Sequence, residues 1–347
     1  MLRLVAATMV LVSHSFVLSG HVDPSVPVLG NTLGALGVVI FFAISGFLVT
    51  KSWFRHPRVR TFVYNRVLRI MPGLIVAATV TTLVIGTLFT ELGTATYLSS
   101  SGTWEYIAKN WSLFAINLYL PGVFEDNVYA GAVNGSMWTL PLEACAYAML
   151  ATLGVIRLLG RRRAMIVLLA LLLVVTSPYN GLDLNLSSGV PGGVDGGKIE
   201  LSMQLIATFL MSANLYLHRE RVRLHPLLFA AALTAFLLSR GSDLYVTVSI
   251  LTVPYMVLFL AYWRTSAIAK TLTRPGDVSY GVYIYAFPIQ QSVAAVWGGT
   301  FPVIGMIAFA FPITYLVAYA SWRLVERPAL RLKRRRAQRA VPAPAPV

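Results

Sequence analysis

The sequence predicts an all-α fold, a polytopic transmembrane helical bundle of about ten spans, and three observations predict it. Hydrophobic residues make up 57% of the 347 and charged ones only 12%, with a mean hydropathy of +0.70, the balance of an integral membrane protein. Apolar runs that approach the roughly 30 Å hydrocarbon core recur near 4–20, 30–50, 72–90, 136–156, 164–178, 200–217, 226–239, 244–262, 279–297 and 302–322. The formal charge of +15 is sided: with the amino terminus inside, the outer loops hold Lys109, Lys198 and Arg240, leaving 25 of 28 basic residues inside. That is the positive-inside pattern, so the basic excess records an N-in, C-in topology and implies no nucleic-acid partner.

Taken in order, the first span opens with Arg3 and carries His14 at depth. A helix that advances from one to the other rises about 16 Å and returns to nearly the same face. One helix then presents a cation at the surface and an imidazole within the bilayer, where an ionisable group is costly enough to face a protein interior or a wet cavity. A cleaved signal peptide is the competing reading. Ser13, His14 and Ser15 interrupt the apolar core such a peptide needs. The second span carries Ser45 and Gly46 in the run FFAISGFL, small residues that suit close helix packing. At the cytoplasmic entrance of the third span, Arg66 and Arg69 stand one turn apart. They are placed either to grip one anionic group or to snorkel as surface anchors.

The longest outer segment, 91–134, holds Trp104, Tyr106, Trp111, Tyr119 and Tyr129, expected as an interfacial belt ahead of a sugar-stacking surface, with a partly inserted helix near 105–120. The fourth span begins Asn134-Gly135-Ser136-Met137-Trp138 and sets Glu143 about two turns inside; the cost of a buried carboxylate demands a partner, for which His14 and the arginines are candidates. Cys145 is the single cysteine. It excludes disulfides and paired redox chemistry, and it is expected as a buried apolar thiol. The glycine-rich stretch 178–199 follows no strand and is expected as a flexible outer loop, not a phosphate cradle. The ninth span opens with Ser279, Tyr280, Gly281, Tyr283 and Tyr285, the tyrosines serving as anchors. The chain divides into a membrane domain over 1–330 and a basic, then Pro/Ala-rich, disordered cytoplasmic tail over 331–347.

Six runs, in this order, resemble the acyltransferase-3 family of multi-span membrane proteins: the Arg3-to-His14 spacing, IFFAISGFL, RVLRIMP, GSMWTLPLE, SYGVYIY and the closing WRLVERP. The family O-acylates sugars, surface polysaccharides and some antibiotics. The resemblance spans nearly the whole chain. It implies an acyltransferase of the O-acetyltransferase type in a bacterial cytoplasmic membrane, with acyl-CoA, acetyl-CoA by default, as donor and a carbohydrate or glycosylated acceptor. It maps the family's active-site arginine and histidine onto Arg3 and His14, and its donor-binding arginines onto Arg66 and Arg69. Ser45, Ser136, Trp138 and Tyr283, polar or aromatic side chains within those runs, are the substrate-binding candidates. Some members carry a histidine where this chain has Ala286-Phe287-Pro288, so no catalytic role is expected of that segment. No fused esterase-like domain and no metal site are expected.

The chemistry fits these residues. An alcohol attacking a thioester must lose its proton as the bond forms, and a neutral imidazole with an ordinary pKa of about 6.5 accepts it at physiological pH. His14 is the expected general base, and Glu143 the expected catalytic carboxylate that orients it or holds its proton. Arg3, Arg66 and Arg69 take the phosphates of coenzyme A. A transporter of a glycan, lipid or small acid is the alternative, although the sequence shows no pair of related halves. A membrane scaffold would leave His14 and Glu143 without a purpose.

Overall fold

In a computed structural model the described residues are 1–24, 32–176, 196–262 and 276–332. Each of the ten apolar runs falls on a helix: α1 (Leu2–Leu18), α2 (Leu33–Arg55), α3 (Val59–Val80), then, after two outer helices α4 (Thr94–Ser99) and α5 (Ser101–Ser112), α6 (Leu140–Val155), α7 (Arg162–Thr176), α8 (Gly196–Leu217), α9 (Pro226–Leu238), α10 (Tyr245–Tyr262), α11 (Ser279–Trp297) and α12 (Val303–Ser321). Among the described residues there is no strand, only isolated bridges between Thr90 and Val123 and between Tyr119 and Ala132. Among the described residues five helical segments are long and apolar enough to cross a membrane: Leu33–Arg55, Val59–Phe89, Gly135–Val155, Tyr245–Tyr262 and Val303–Leu332. Residues 333–347 of the predicted tail, most of the 178–199 loop, and Arg264, Lys270 and Arg274 lie outside the described residues.

The chain forms two units. The first comprises Met1–Ser13, Asp23–Val59 and Leu142–Arg274, the second His14–Val22, Arg60–Pro141 and Pro275–Val347. The division falls within α1, immediately before His14.

In the first unit, missing side chains set the packing. A Cβ on Gly46 would sit 2.2 Å from the carbonyl oxygen of Phe209, and one on Gly37 would sit 2.7 Å from that of Ala6. Glycine therefore lets α2 touch α8 and α1 backbone to backbone, as small residues do where no solvent drives apolar faces together. Thr32 caps α2 by accepting from Ala35 N at 3.2 Å, satisfying one of the amides a helix start leaves open. The helix α8 also packs on α7 and α10, and α9 packs on α10. Cys145 is exposed on α6, a correction to the expected burial; its neighbours Ala146 and Tyr147 take the packed face.

The second unit is built on α3 and on the pair α11 and α12. Helix begins at Val59 and runs through a π-turn, Thr81–Gly86, to Phe89, well ahead of the apolar run that predicted it. Arg66 and Arg69 consequently stand on the helix itself rather than at its entrance. Prolines interrupt α3 at Pro72, α11 at Pro288 and α12 at Pro312, which membrane helices tolerate when neighbours re-satisfy the backbone. Above the π-turn, the Tyr97 hydroxyl donates to Thr82 O at 2.8 Å. Burial pushes that hydroxyl up to about 12, so it remains a donor across the physiological range. The outer helix occupies Ser101–Ser112, earlier than the predicted 105–120. It ends at Leu113 in the left-handed region, where Asn110 donates to the carbonyls of Tyr106 and Asn117. Of the five outer aromatics, Tyr106 is core while Trp104, Trp111, Tyr119 and Tyr129 are exposed.

Candidate active site

At the start of α11 the second unit gathers charge around Arg69. Its guanidinium pairs with Asp277 at 2.5 Å, and Asp277 also accepts the Ser279 hydroxyl at 2.5 Å. Tyr280 donates to the Ile70 carbonyl at 2.8 Å, and a Cβ on Gly73 would meet the Tyr280 ring at 2.7 Å, so α11 and α3 are locked together beside the pair. Gly276, at φ +113°, lies under the Trp322 indole. Arg66, one turn before Arg69, sets its guanidinium 5.8 Å from the Phe62 ring centre. A guanidinium carries five N–H groups in a planar fork, the geometry that suits carboxylates and phosphates.

Further along the same unit, the last turns of α1 meet α11. The His14 ring packs edge-on against Phe287, centroids 5.1 Å apart at 81°, and Ser15 accepts from Gln290 Nε2 at 2.8 Å. His14 Nδ1 is sealed from solvent and has no hydrogen-bond partner among the described residues, and the Ser136 hydroxyl is in the same condition. Phe287 also meets Gly135, the residue before Ser136, where a Cβ would lie 2.6 Å from its ring. The Gly135–Thr139 turn that carries Ser136 is pinned from α11 at two points. Asn134 Nδ2 donates to Ile284 O at 2.8 Å, and the hydroxyls of Thr139 and Tyr283 share a 2.6 Å hydrogen bond. Trp138 is half-buried on that turn.

The first unit holds the other predicted residues. Arg3 lies with its guanidinium 5.5 Å from the Phe41 ring centre. Glu143 finds hydroxyl partners where the sequence points to a histidine or an arginine: Tyr147 donates to its Oε1, and so does Ser45 at 3.4 Å. Ser45 thus serves as a donor across α2 and α6, while its neighbour Gly46 supplies the close packing. Among the described residues no cluster of three or more His, Cys, Asp or Glu is placed to hold a metal ion.

The Acyltransferase domain family matches residues 1–323 of this chain. The chain belongs to the acyltransferase-3 family. This acyltransferase is similar to an O-acetyl transferase of Shigella phage Sf6, 31% identical over 330 residues that cover 94% of this chain and 93% of that protein. It is also similar to nodulation protein 10 of Rhizobium leguminosarum bv. viciae, 29% identical over 367 residues, 96% of this chain and 93% of that protein. No solved structure matches it. The transporter alternative finds no support in these relatives.

Sequence reasoning missed Phe287, Asp277 and Gln291. The signal for the last was present: Gln290 and Gln291 are adjacent amides inside an apolar helix, where such groups exist to bond across helices. Gln291 donates to the carbonyls of Tyr129 and Ala132 at 2.8 and 2.6 Å. Phe287 carried no signal, since one more phenylalanine in an apolar run is unremarked until its neighbours are known.

Proposed function

We propose that this acyltransferase moves an acetyl group from cytoplasmic acetyl-CoA to a hydroxyl of a carbohydrate or glycosylated acceptor. It works as a multi-pass protein of a bacterial cytoplasmic membrane, with about ten spans and both termini inside. The name of the phage relative supports acetyl as the group and oxygen as the receiving atom. The siding of basic residues supports the orientation.

The observation that carries the reading is the sealed, unpartnered Nδ1 of His14. Buried polar atoms are nearly always hydrogen-bonded, and an orphan calls for an explanation such as a catalytic role. In the proposed reaction the acceptor hydroxyl gives its proton to the imidazole as its oxygen attacks the thioester carbonyl. The C–S bond then breaks, the imidazolium returns the proton to the departing thiolate, and the products are the acetyl ester and free coenzyme A. The Ser136 hydroxyl donates a hydrogen bond to a reacting oxygen, for which its lack of a partner leaves it available. Arg66 and Arg69 hold the donor's phosphates, Arg69 by sharing or exchanging Asp277. Arg3 adds charge about 16 Å from His14 along the same helix, a distance of the order of an extended pantetheine arm. Tyr283 shapes the wall through Thr139, and Trp138 offers the site a flat apolar face. Glu143 is a positioning carboxylate that fixes α2 against α6 through Ser45.

The test is acetyl transfer from labelled acetyl-CoA by the purified protein in lipid nanodiscs. His14→Ala is expected to lose activity by a factor of about 10² to 10⁴, the usual worth of a general base, with unchanged yield and thermal midpoint. Retained activity defeats the assignment. Arg66→Ala is expected to raise the apparent KM for acetyl-CoA about tenfold, the loss of one charge-assisted contact, while kcat holds.

A further inference from the structure

A line of two packed rings joins His14 to the outer segment. Phe287, which packs against it, is only 4% exposed. The other neighbour of Phe287 is Tyr129, whose ring lies 6.0 Å away at 79°. The Tyr129 and His14 ring centres are therefore no more than 11.1 Å apart. Tyr129 itself is 44% exposed. Its loop is fastened to α11 one turn beyond Phe287: Gln291 donates to the carbonyls on both sides of the Tyr129 loop, at Tyr129 and Ala132, while Asn127 donates to the Gln291 side-chain oxygen at 2.8 Å and to its carbonyl at 3.0 Å. A Cβ on Gly20, just past the end of α1, would lie 3.2 Å from Val128, which seats the loop on α1 as well. An exposed ring on a loop held by four hydrogen bonds is a rigid surface, and rigidity cuts the ordering cost of binding. Glu125 and Asp126 are exposed in the same loop, so a sugar's hydroxyls find acceptor oxygens there while an anionic acceptor is repelled.

We infer that Tyr129 is the acceptor-positioning residue of this acyltransferase: an uncharged pyranose stacks on its exposed face, with a hydroxyl directed past Phe287 to His14. An aromatic face offers a flat apolar surface to the C–H side of a sugar ring, and the carboxylates beside it take the hydroxyls. The inference rests on the acetyl-transfer reading above and adds to it the side chain that positions the acceptor.

The experiment uses the full chain in nanodiscs with labelled acetyl-CoA, methyl pyranosides of glucose, galactose, rhamnose and N-acetylglucosamine as probes, and glycerol as an open-chain control. Wild type is expected to acetylate at least one pyranoside with a kcat/KM tenfold or more above glycerol. Tyr129→Ala is expected to erase that preference by raising the pyranoside KM at least tenfold, leaving the acetyl-CoA KM and the slow hydrolysis of acetyl-CoA by water as in wild type. Tyr129→Phe and Tyr129→Trp, which keep a ring, are expected to retain it, and they separate loss of stacking from loss of fold. Equal use of glycerol and pyranosides by wild type, or full pyranoside preference in Tyr129→Ala, overturns the inference and leaves acetyl transfer standing. Absence of acetyl-CoA turnover in wild type with every acceptor, water included, overturns the acetyl-transfer reading and this inference with it.

Discussion

Glu143 and His14 both stand within apolar helices, and their surroundings differ. Glu143, in the first unit, has its Oε1 taken by the hydroxyls of Tyr147 and Ser45. His14, in the second, has a sealed ring nitrogen that nothing among the described residues meets and an aromatic edge for company. A half-buried carboxylate supplied with donors suits the positioning role proposed for it, because removing it strands its partners. An imidazole nitrogen sealed without a partner is a cost to the fold, which is why the proposed reaction gives His14 the proton. Lone hydroxyls such as those of Thr208 and Ser212 are also sealed without partners, but a hydroxyl is not a base near neutral pH. The comparison teaches that depth in the membrane does not by itself mark a catalytic group; what meets each side chain there has to be known.

The largest expected effect breaks the comparison if it fails: His14→Gln, which keeps polarity and approximate size, should fall in kcat at least a hundredfold in the acetyl-transfer assay with an unchanged thermal midpoint. Next comes Glu143→Ala, expected to lower the midpoint by several degrees and the yield of folded protein, since two hydroxyls lose their acceptor. Ser136→Ala should slow transfer about tenfold, the worth of one hydrogen bond to a reacting oxygen. It should leave stability equal or slightly higher, because a hydroxyl buried without a partner is a cost to the fold; a midpoint that falls instead would mark it as structural. The smallest effect is that of Glu143→Gln, whose amide oxygen still accepts from Tyr147 and Ser45; kcat should stay within about threefold. A hundredfold loss there, with the fold intact, would move Glu143 into the proton path and erase the contrast drawn above.

The helices were legible because each apolar run that predicted one must bury or expose its whole circumference to something other than water, a demand local sequence records. The ends were less so: the third helix starts at Val59, far ahead of its apolar run, because arginine extends a helix as readily as leucine does and a single Asn65 is tolerated there. Ser45 and Gly46 read as packing residues, which Gly46 is, while Ser45 acquired its role from Glu143, a partner 98 positions away. Asp277 and Arg69 are 208 positions apart, and nothing in either neighbourhood announces the other.

By itself the sequence determined that this chain is an apolar, all-helical acyltransferase with an imidazole and a cation on one face of its first helix, since composition, helical pitch and run order are local properties. Only the tertiary structure decided that Glu143 is met by hydroxyls and His14 by a phenyl edge. It alone brought Gly135 and Tyr129 against Phe287. Hydrogen bonds and ring contacts depend on which helix faces lie together in space, and that choice is made by packing across the whole chain.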